Sequence, residues 1–350
     1  MSVSSELLSM GASLGETFES LDFSAGHYAR TFLAGGVFTQ CRWQRADLRG
    51  SDVRESVFDQ CAMDSTLFAG AQLRHAVFNR CDLAHADFRG ANLHSATFNE
   101  CDLHHAQFGD AFLGQAKFYG CALGHANLQG ASLDSTLFSK SSLVDVNADR
   151  SIWLHTVLIE CDLRQMTWLD APMTRVVFSK LNLQNKRFDG GSYASCQFTG
   201  VDLSGSSFVG AALSQCNFQD SVLAGCDFAN SVAPQAIFCG VRGESTGFND
   251  AMLRQSLFTG AELPGARFGA AQLHQCHFAR ARLPGAYFVG ADCTYADFSH
   301  ADLGRADLRD CELFRTVFHA TQLQDAKFTN RSLALGTDPE LARAEQWAPA

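Results

Sequence analysis

A large apolar side chain returns at every fifth residue for almost the whole chain. From Phe18 the register runs through Phe23, Tyr28, Leu33, Phe38, Trp43, Leu48, Val53 and Phe58, and on to Phe318, Leu323, Phe328 and Leu333. Of its 64 positions only Ala148, Ala233, Gly243 and Cys293 break the rule, and 26 of the 29 Phe lie on it. With 46% apolar residues overall, chance does not produce such a register. Two residues before the large position the residue is mostly small, as at Ala71, Ala76, Cys81 and Ala86, although Met166, Leu181 and Lys186 replace it. A polar residue, often Asp or Asn, separates the two, as in Ala86-Asp87-Phe88, and two turn-like residues follow, as in Arg89-Gly90.

A period of five fits neither a helix, near 3.6, nor a strand, at 2. Within each unit, however, the small and large residues are two apart and face the same side of an extended segment. The next two residues must turn the chain. The implied object is a coil with short sides, corners between them and an apolar inside. The choice between Phe and Leu gives the number of sides. Sampled every twenty residues from Phe18 to Phe318, fifteen of sixteen positions are Phe, with Leu158 the exception. Phe-rich and Leu-rich columns alternate around a cycle of four units, so four sides and twenty residues make one lap. Cysteine repeats the same spacing at Cys41, Cys61, Cys81, Cys101 and Cys121, and Cys161 continues the column.

These patterns predict an all-β, four-sided (quadrilateral) parallel β-helix of about sixteen coils with short terminal caps. Laps stacked at ~4.8 Å give a rod ~75 Å long with no central cavity. The repeat spans 18–333. Residues 1–17 break the pattern and read as an N-terminal cap, with a short helix starting near Ser5-Glu6-Leu7-Leu8. Residues 334–350 read as a C-terminal cap or tail. There Thr337-Asp338-Pro339-Glu340 opens a helix with Asp338 as its cap and Pro339 in the first turn. Leu341 and Trp347 are expected on the last coil, or Trp347 in a dimer contact. Two stretches, 141–195 and 229–247, keep the four-unit phase but distort it, and are read as bent coils within one domain. They are the expected places for function, because a chain departs there from its own rule.

The units resemble the pentapeptide-repeat family, whose pattern is A-[D/N]-L-x-x. Ala46-Asp47-Leu48, Ala91-Asn92-Leu93, Ala126-Asn127-Leu128, Ala301-Asp302-Leu303 and Ala306-Asp307-Leu308 match it directly. The resemblance covers about nine-tenths of the chain and implies a right-handed coil. Some members of the family are acidic rods that mimic DNA and bind bacterial DNA gyrase, giving quinolone resistance. Those are shorter, with a projecting loop and a dimer through the C-terminal coil. Others resemble effectors or adaptors of secretion systems. The F-x-x-C-x-L runs here (Phe78 to Leu83, Phe98 to Leu103, Phe118 to Leu123) are similar to members accompanying type VI secretion.

Other classes are disfavoured. The formal charge is −10, from 37 acids and 27 bases, which argues against a broad basic surface for nucleic acid. No apolar run reaches the ~18 residues of a membrane span, and the first residues show no secretory signal. Phosphate-loop, nucleophile-elbow, zincin and dinucleotide patterns are absent. The cysteines lack disulfide or zinc spacing, pack as small buried groups and favour a reducing compartment. No catalytic residue, cofactor or metal ligand is expected.

The candidate interaction surface comprises His85, His105 and His125, stacked at one corner, with Trp153, Trp168 and Lys186 from the first irregular stretch. Histidines in line do not converge on a point as metal ligands do. Asp82 and Asp102 stack in one column, and Asp292, Asp297, Asp302 and Asp307 ring a single lap. They are read as turn-bonding groups, since Asp suits local bonds to the backbone. Gln215, Gln235, Gln255 and Gln275 form a structural amide ladder. The expected function is a non-enzymatic protein–protein scaffold or adaptor in the bacterial cytoplasm, with a partner of unknown identity. The alternative is the gyrase-binding DNA mimic, and a third reading uses the His ladder as a metal or enzymatic site. A homodimer through the C-terminal coil is the expected assembly if one forms.

Overall fold

The structure, a computed structural model, describes residues 4–347. Residues 1–3 of the expected N-terminal cap and 348–350 of the expected tail lie outside the described residues. The chain divides into two compact units, Met1–Leu181 and Asn182–Ala350. Both are parallel β-solenoids, and the chain makes about sixteen twenty-residue laps.

The first unit opens with α1 (Ser5–Ser13). The Ser4 hydroxyl accepts from the Leu7 N–H at its start, a usual way to satisfy an orphan helix donor. Leu8 is fully buried and Ala12 is nearly so. Gly11 lies so close to Phe18 that a Cβ there would sit 2.7 Å from the ring. Helix α1 therefore covers the open end of the first Phe column.

Nine strands then form one sheet: β1 (Thr17–Glu19), β2 (Val37–Thr39), β3 (Val57–Asp59), β4 (Val77–Asn79), β5 (Thr97–Asn99), β6 (Lys117–Tyr119), β7 (Leu137–Ser139), β9 (Val157–Ile159) and β11 (Val177–Ser179). All the pairings are parallel and offset by twenty residues, so that Phe98 lies opposite Phe118. The other three sides pair through single bridges at the same offset, for example Asp22 with Arg42, His27 with Asp47 and Phe32 with Asp52. Four bridged sides per lap make the coil quadrilateral.

The backbone bonds explain the five-residue unit. On the Tyr28 side the large residue donates to the next lap (Tyr28 N to Asp47 O, 2.7 Å), and the polar residue donates to the previous lap (Asp47 N to Gly26 O, 2.8 Å). The following small residue closes the turn (Thr31 N to Tyr28 O, 3.2 Å). The first turn residue is left over, and the outward Asp or Asn takes its N–H: Arg49 N to Asp47, Ala84 N to Asp82 and His104 N to Asp102. Asp292, Asp297, Asp302 and Asp307 do the same around one lap. The Asp columns thus belong to the turns, as the spacing suggested.

The interior is filled. Phe columns on opposite sides stack along the axis and meet edge to face across it: Phe78 and Phe98 lie 4.9 Å apart and 5° from parallel, and Phe88 meets Phe98 at 85°. Polar groups at the small inward positions bond to the carbonyl of a large residue one lap back. Ser56 Oγ donates to Leu33 O (2.7 Å), Thr66 Oγ1 to Trp43 O (2.9 Å) and Cys81 Sγ to Phe58 O (3.4 Å). Ser, Thr and Cys therefore share these positions with Ala and mostly find a partner for their buried donors, Ser231 Oγ being an exception.

In the first irregular stretch one side of the coil forms short strands instead, with β8 (Trp153–Leu154) paired to β10 (Met173–Thr174). Leu181, where the first unit ends, lies in the same stretch. The second unit contains β12 (Tyr193–Ala194), β13 (Asp307–Leu308) and β14 (Lys327–Phe328), and otherwise pairs by bridges. The stretch 229–247 keeps the regular bridges, such as Arg242 with Glu262, and is not bent out of pattern. Gly243 is small because a Cβ there would lie 2.7 Å from the Leu223 carbonyl carbon.

The C-terminal end departs from the sequence reading. After Phe328 the chain bridges back two residues early, Val317 to Leu335. Leu333 therefore leaves the core and is 61% exposed. Helix α2 (Pro339–Glu345) forms where expected, with Asp338 accepting from the Glu340 and Leu341 N–H groups. It buries no side chain, and Trp347 is 75% exposed rather than seated on the last coil.

Candidate functional site

His85, His105 and His125 occupy successive corners in the left-handed backbone conformation, with φ of 58°, 58° and 57°. Their rings stack face to face at 4.9 Å, 0° and 7° from parallel. Desolvation in the stack, and then the charges of His85, His125 and His104, push the His105 pKa below its ordinary value. Beside the ladder, His104 Nδ1 lies 2.6 Å from Asp102 Oδ1, and His125 Nε2 lies 3.9 Å from Asp145. Parallel rings at this separation cannot bring two nitrogens to one ion with bonds of ~2.0–2.1 Å. The ladder is a stacked imidazole edge.

The structure does not bring the other proposed residues to this edge. Trp153 and Trp168 are 1% and 8% exposed, so neither offers a surface. Both stand on the five-residue register, which points them inward whatever their size. Trp153 donates to Ser151 Oγ at 2.7 Å, satisfying its indole. Lys186 is half-buried at an inward small position, where its backbone N–H donates to Ser206 Oγ at 3.0 Å.

Several of the outward acids are paired with arginines two residues on. Arg49 pairs with Asp47, Arg54 with Asp52, Arg89 with Asp87, Arg164 with Asp162 and Arg309 with Asp307, each at 2.7 Å. The Asp47–Arg49 hydrogen bonds hold the Asp47 carboxyl below its usual range. The Gln column is bonded end to end at 3.1, 3.1 and 2.9 Å from Gln215 to Gln275.

The outer surface of the nine-stranded sheet is unusual. Val37, Val57 and Val77, and after Thr97 and Lys117 also Leu137, Val157 and Val177, point outward in register, each half-buried apart from the exposed Lys117. The apolar members make two runs of three, separated by Thr97 and Lys117. One open surface groove is lined by Pro284, Asp302, Arg305 and Gln324.

One convergent group escaped the sequence reading. His300, His319 and Glu345 place their donor atoms within 4.8 Å of one another. Glu345 lies outside the repeat, so no periodicity announces it. The available signal was two histidines nineteen residues apart, in adjacent corner columns. Among the described residues no helix is long and apolar enough to cross a membrane.

The sequence pattern described as a pentapeptide repeat region matches residues 16–88, 75–148 and 192–268. That of pentapeptide repeats in eight copies matches 266–303 and 291–330. No curated protein matches. Among solved structures, full-length QnrB1, a plasmid-mediated fluoroquinolone resistance protein, is similar at 17% identity, covering 62% of this chain and 93% of its own, with a TM-score of 0.29. HetL, a pentapeptide repeat protein involved in heterocyst differentiation regulation in the cyanobacterium Nostoc sp. strain PCC 7120, is similar at 16% identity, covering 96% and 99%, with a TM-score of 0.18. A pentapeptide repeat protein of the Arabidopsis thaliana thylakoid lumen is similar at 23% identity over 35% of this chain and 70% of its own, with a TM-score of 0.16. Repeat patterns matching well over half of the chain, on a four-sided solenoid with a twenty-residue lap, make it a member of the pentapeptide-repeat family.

Proposed function

We propose that the protein is a non-enzymatic scaffold that binds a protein partner on the outside of its coil. The observation that carries this reading is the pair of outward apolar runs, Val37, Val57 and Val77 and then Leu137, Val157 and Val177, on the nine-stranded sheet. Apolar side chains left partly open to water in register are suited to an interaction surface, and a filled interior offers no pocket for a small substrate. The stacked His85, His105 and His125 edge adds a polar corner on another part of the coil. The buried thiols fit a reducing compartment such as the bacterial cytoplasm. Whether the protein serves a secretion system is answered by the identity of its partner.

The test is affinity capture from the native cell with the intact chain and with Val57→Lys and Val157→Lys. A partner retained by the intact chain and lost by both variants is the expected result. Equal retention by all three, or turnover of a substrate by the purified protein, overturns the reading. The DNA-mimic alternative draws on the acidic balance of the chain, but arginine pairs interrupt its carboxylates. A supercoiling assay with purified gyrase decides it: inhibition or protection supports it, and inert behaviour removes it.

A further inference from the structure

We propose that His300, His319 and Glu345 form a binding site for a divalent first-row transition ion of the zinc class, joining α2 to the solenoid of the second unit. His300 Nε2 lies 3.1 Å from Glu345 Oε1, and His319 Nε2 lies 3.2 Å from Glu345 Oε2. Donors around a four-coordinate ion with bonds of ~2.0–2.2 Å are separated by about this much. Two imidazoles and one carboxylate suit zinc and its neighbours and leave a position open for water. His319 is 2% exposed and fixed by its surroundings, whereas His300 stands on an exposed corner. Helix α2 buries no side chain, so polar contacts of this kind are what hold it, and it can yield the small shift that closes the site.

The hydrogen bonds state what an ion must displace. The Asp338 N–H donates to His319 Nδ1 at 3.1 Å. That bond requires a lone pair on Nδ1, so neutral His319 carries its proton on Nε2 and donates it to Glu345. An ion needs the Nε2 lone pair. On binding, the Nε2 proton of each imidazole, His300 as well as His319, moves to its Nδ1, and the Asp338 bond to His319 is given up. Nothing is oxidised or reduced. The ion therefore ties down the last turn of α2 while loosening its first.

The experiment titrates the full chain with Zn2+ against a chromophoric chelator, and with Co2+ read by its d–d bands. We expect one ion per chain. Binding should weaken roughly tenfold or more in both His300→Ala and Glu345→Gln, changes at the surface that leave the fold intact, and should be unaltered in His105→Ala. In 15N spectra, Zn2+ should move the His319 proton from Nε2 to Nδ1. No uptake in excess ion, uptake indifferent to both site variants, or uptake that depends on His105 would overturn the proposal.

Discussion

Phe98 and Phe118 stack with centroids 4.8 Å apart and planes 2° from parallel, and Phe108 meets each of them edge-on, at 90° and 88°. The lap spacing of the sheet and the stacking distance of the rings are the same length, so backbone pairing and core packing set one register. Offset stacks and edge-to-face contacts are the favoured aromatic geometries.

Phe98→Ala removes a ring that is fully buried between two neighbours. Denaturant unfolding should show a loss of about 3–5 kcal/mol, the usual cost of a buried Phe cavity. Hydrogen exchange should quicken first in the laps of Phe78, Phe98 and Phe118, since solenoid stability is a sum of neighbour terms. An effect spread evenly over both units would contradict that locality.

Asp47 carries two duties that substitution separates. It accepts the Arg49 N–H at the turn (3.2 Å) and pairs with the Arg49 guanidinium. Asp47→Asn keeps the turn bond and loses the ion pair, whereas Asp47→Ala loses both. Thermal melts should rank the wild type and Asn close together and Ala lowest, by about 0.5–1.5 kcal/mol for the turn bond. The Asp47 carboxyl titrates below its usual range because of Arg49. Its contribution is therefore present above the unfolded value of about 3.9 and is lost as pH falls through the folded value. Asp47→Asn should remove this part of the acid sensitivity.

Much of this architecture was legible because one rule acts on every lap. Small and large residues two apart must share a face, and Asp or Asn is the residue that can take the turn N–H the ladder leaves over. The rule also corrects its own misreading. Trp153 and Trp168 lie on the inward register, so their size signals a change of core filling and not a surface; Ala148, one side before Trp153, supplies the opposite change in volume. The ends were less legible, because they have no neighbouring lap to repeat. Leu333 keeps the spacing but loses the core when the chain bridges back early, from Val317 to Leu335. Glu345 meets His300 across 45 residues, through a tail whose path no period encodes.

The buried thiols give a prediction about chemistry. Burial pushes both Cys226 and Cys276 up to about 12, and the thiolate is the reactive form. Cys276 Sγ also donates to Leu253 O at 2.9 Å. Of the thirteen cysteines, Cys239 and Cys311 are the half-exposed ones. A thiol reagent applied to the native chain should label those two first, as peptide mapping will show, and the others only in denaturant. Early labelling of Cys81 or Cys101 would mean that the column opens in the native state.

The His ladder should make stability depend on pH in the range where histidine titrates. His105 has its pKa lowered in the folded chain by desolvation and by His85, His125 and His104. The unfolded chain, with an ordinary value of about 6.5, therefore binds the proton more readily. The sign follows: stability contributed by neutral His105 is full above about 6.5 and is lost as pH falls through that value toward the lowered one. His105→Asn keeps a residue that tolerates the left-handed corner and removes the central charge of the stack. Melting temperatures between pH 7.5 and 5 should fall less in His105→Asn than in the wild type. NMR titration should place the His105 midpoint below that of an unstructured histidine peptide. A midpoint above that of the peptide, or identical pH profiles for the two proteins, would show that Asp102 and Asp145 neutralise the edge and that the stacked rings do not feel one another's charge.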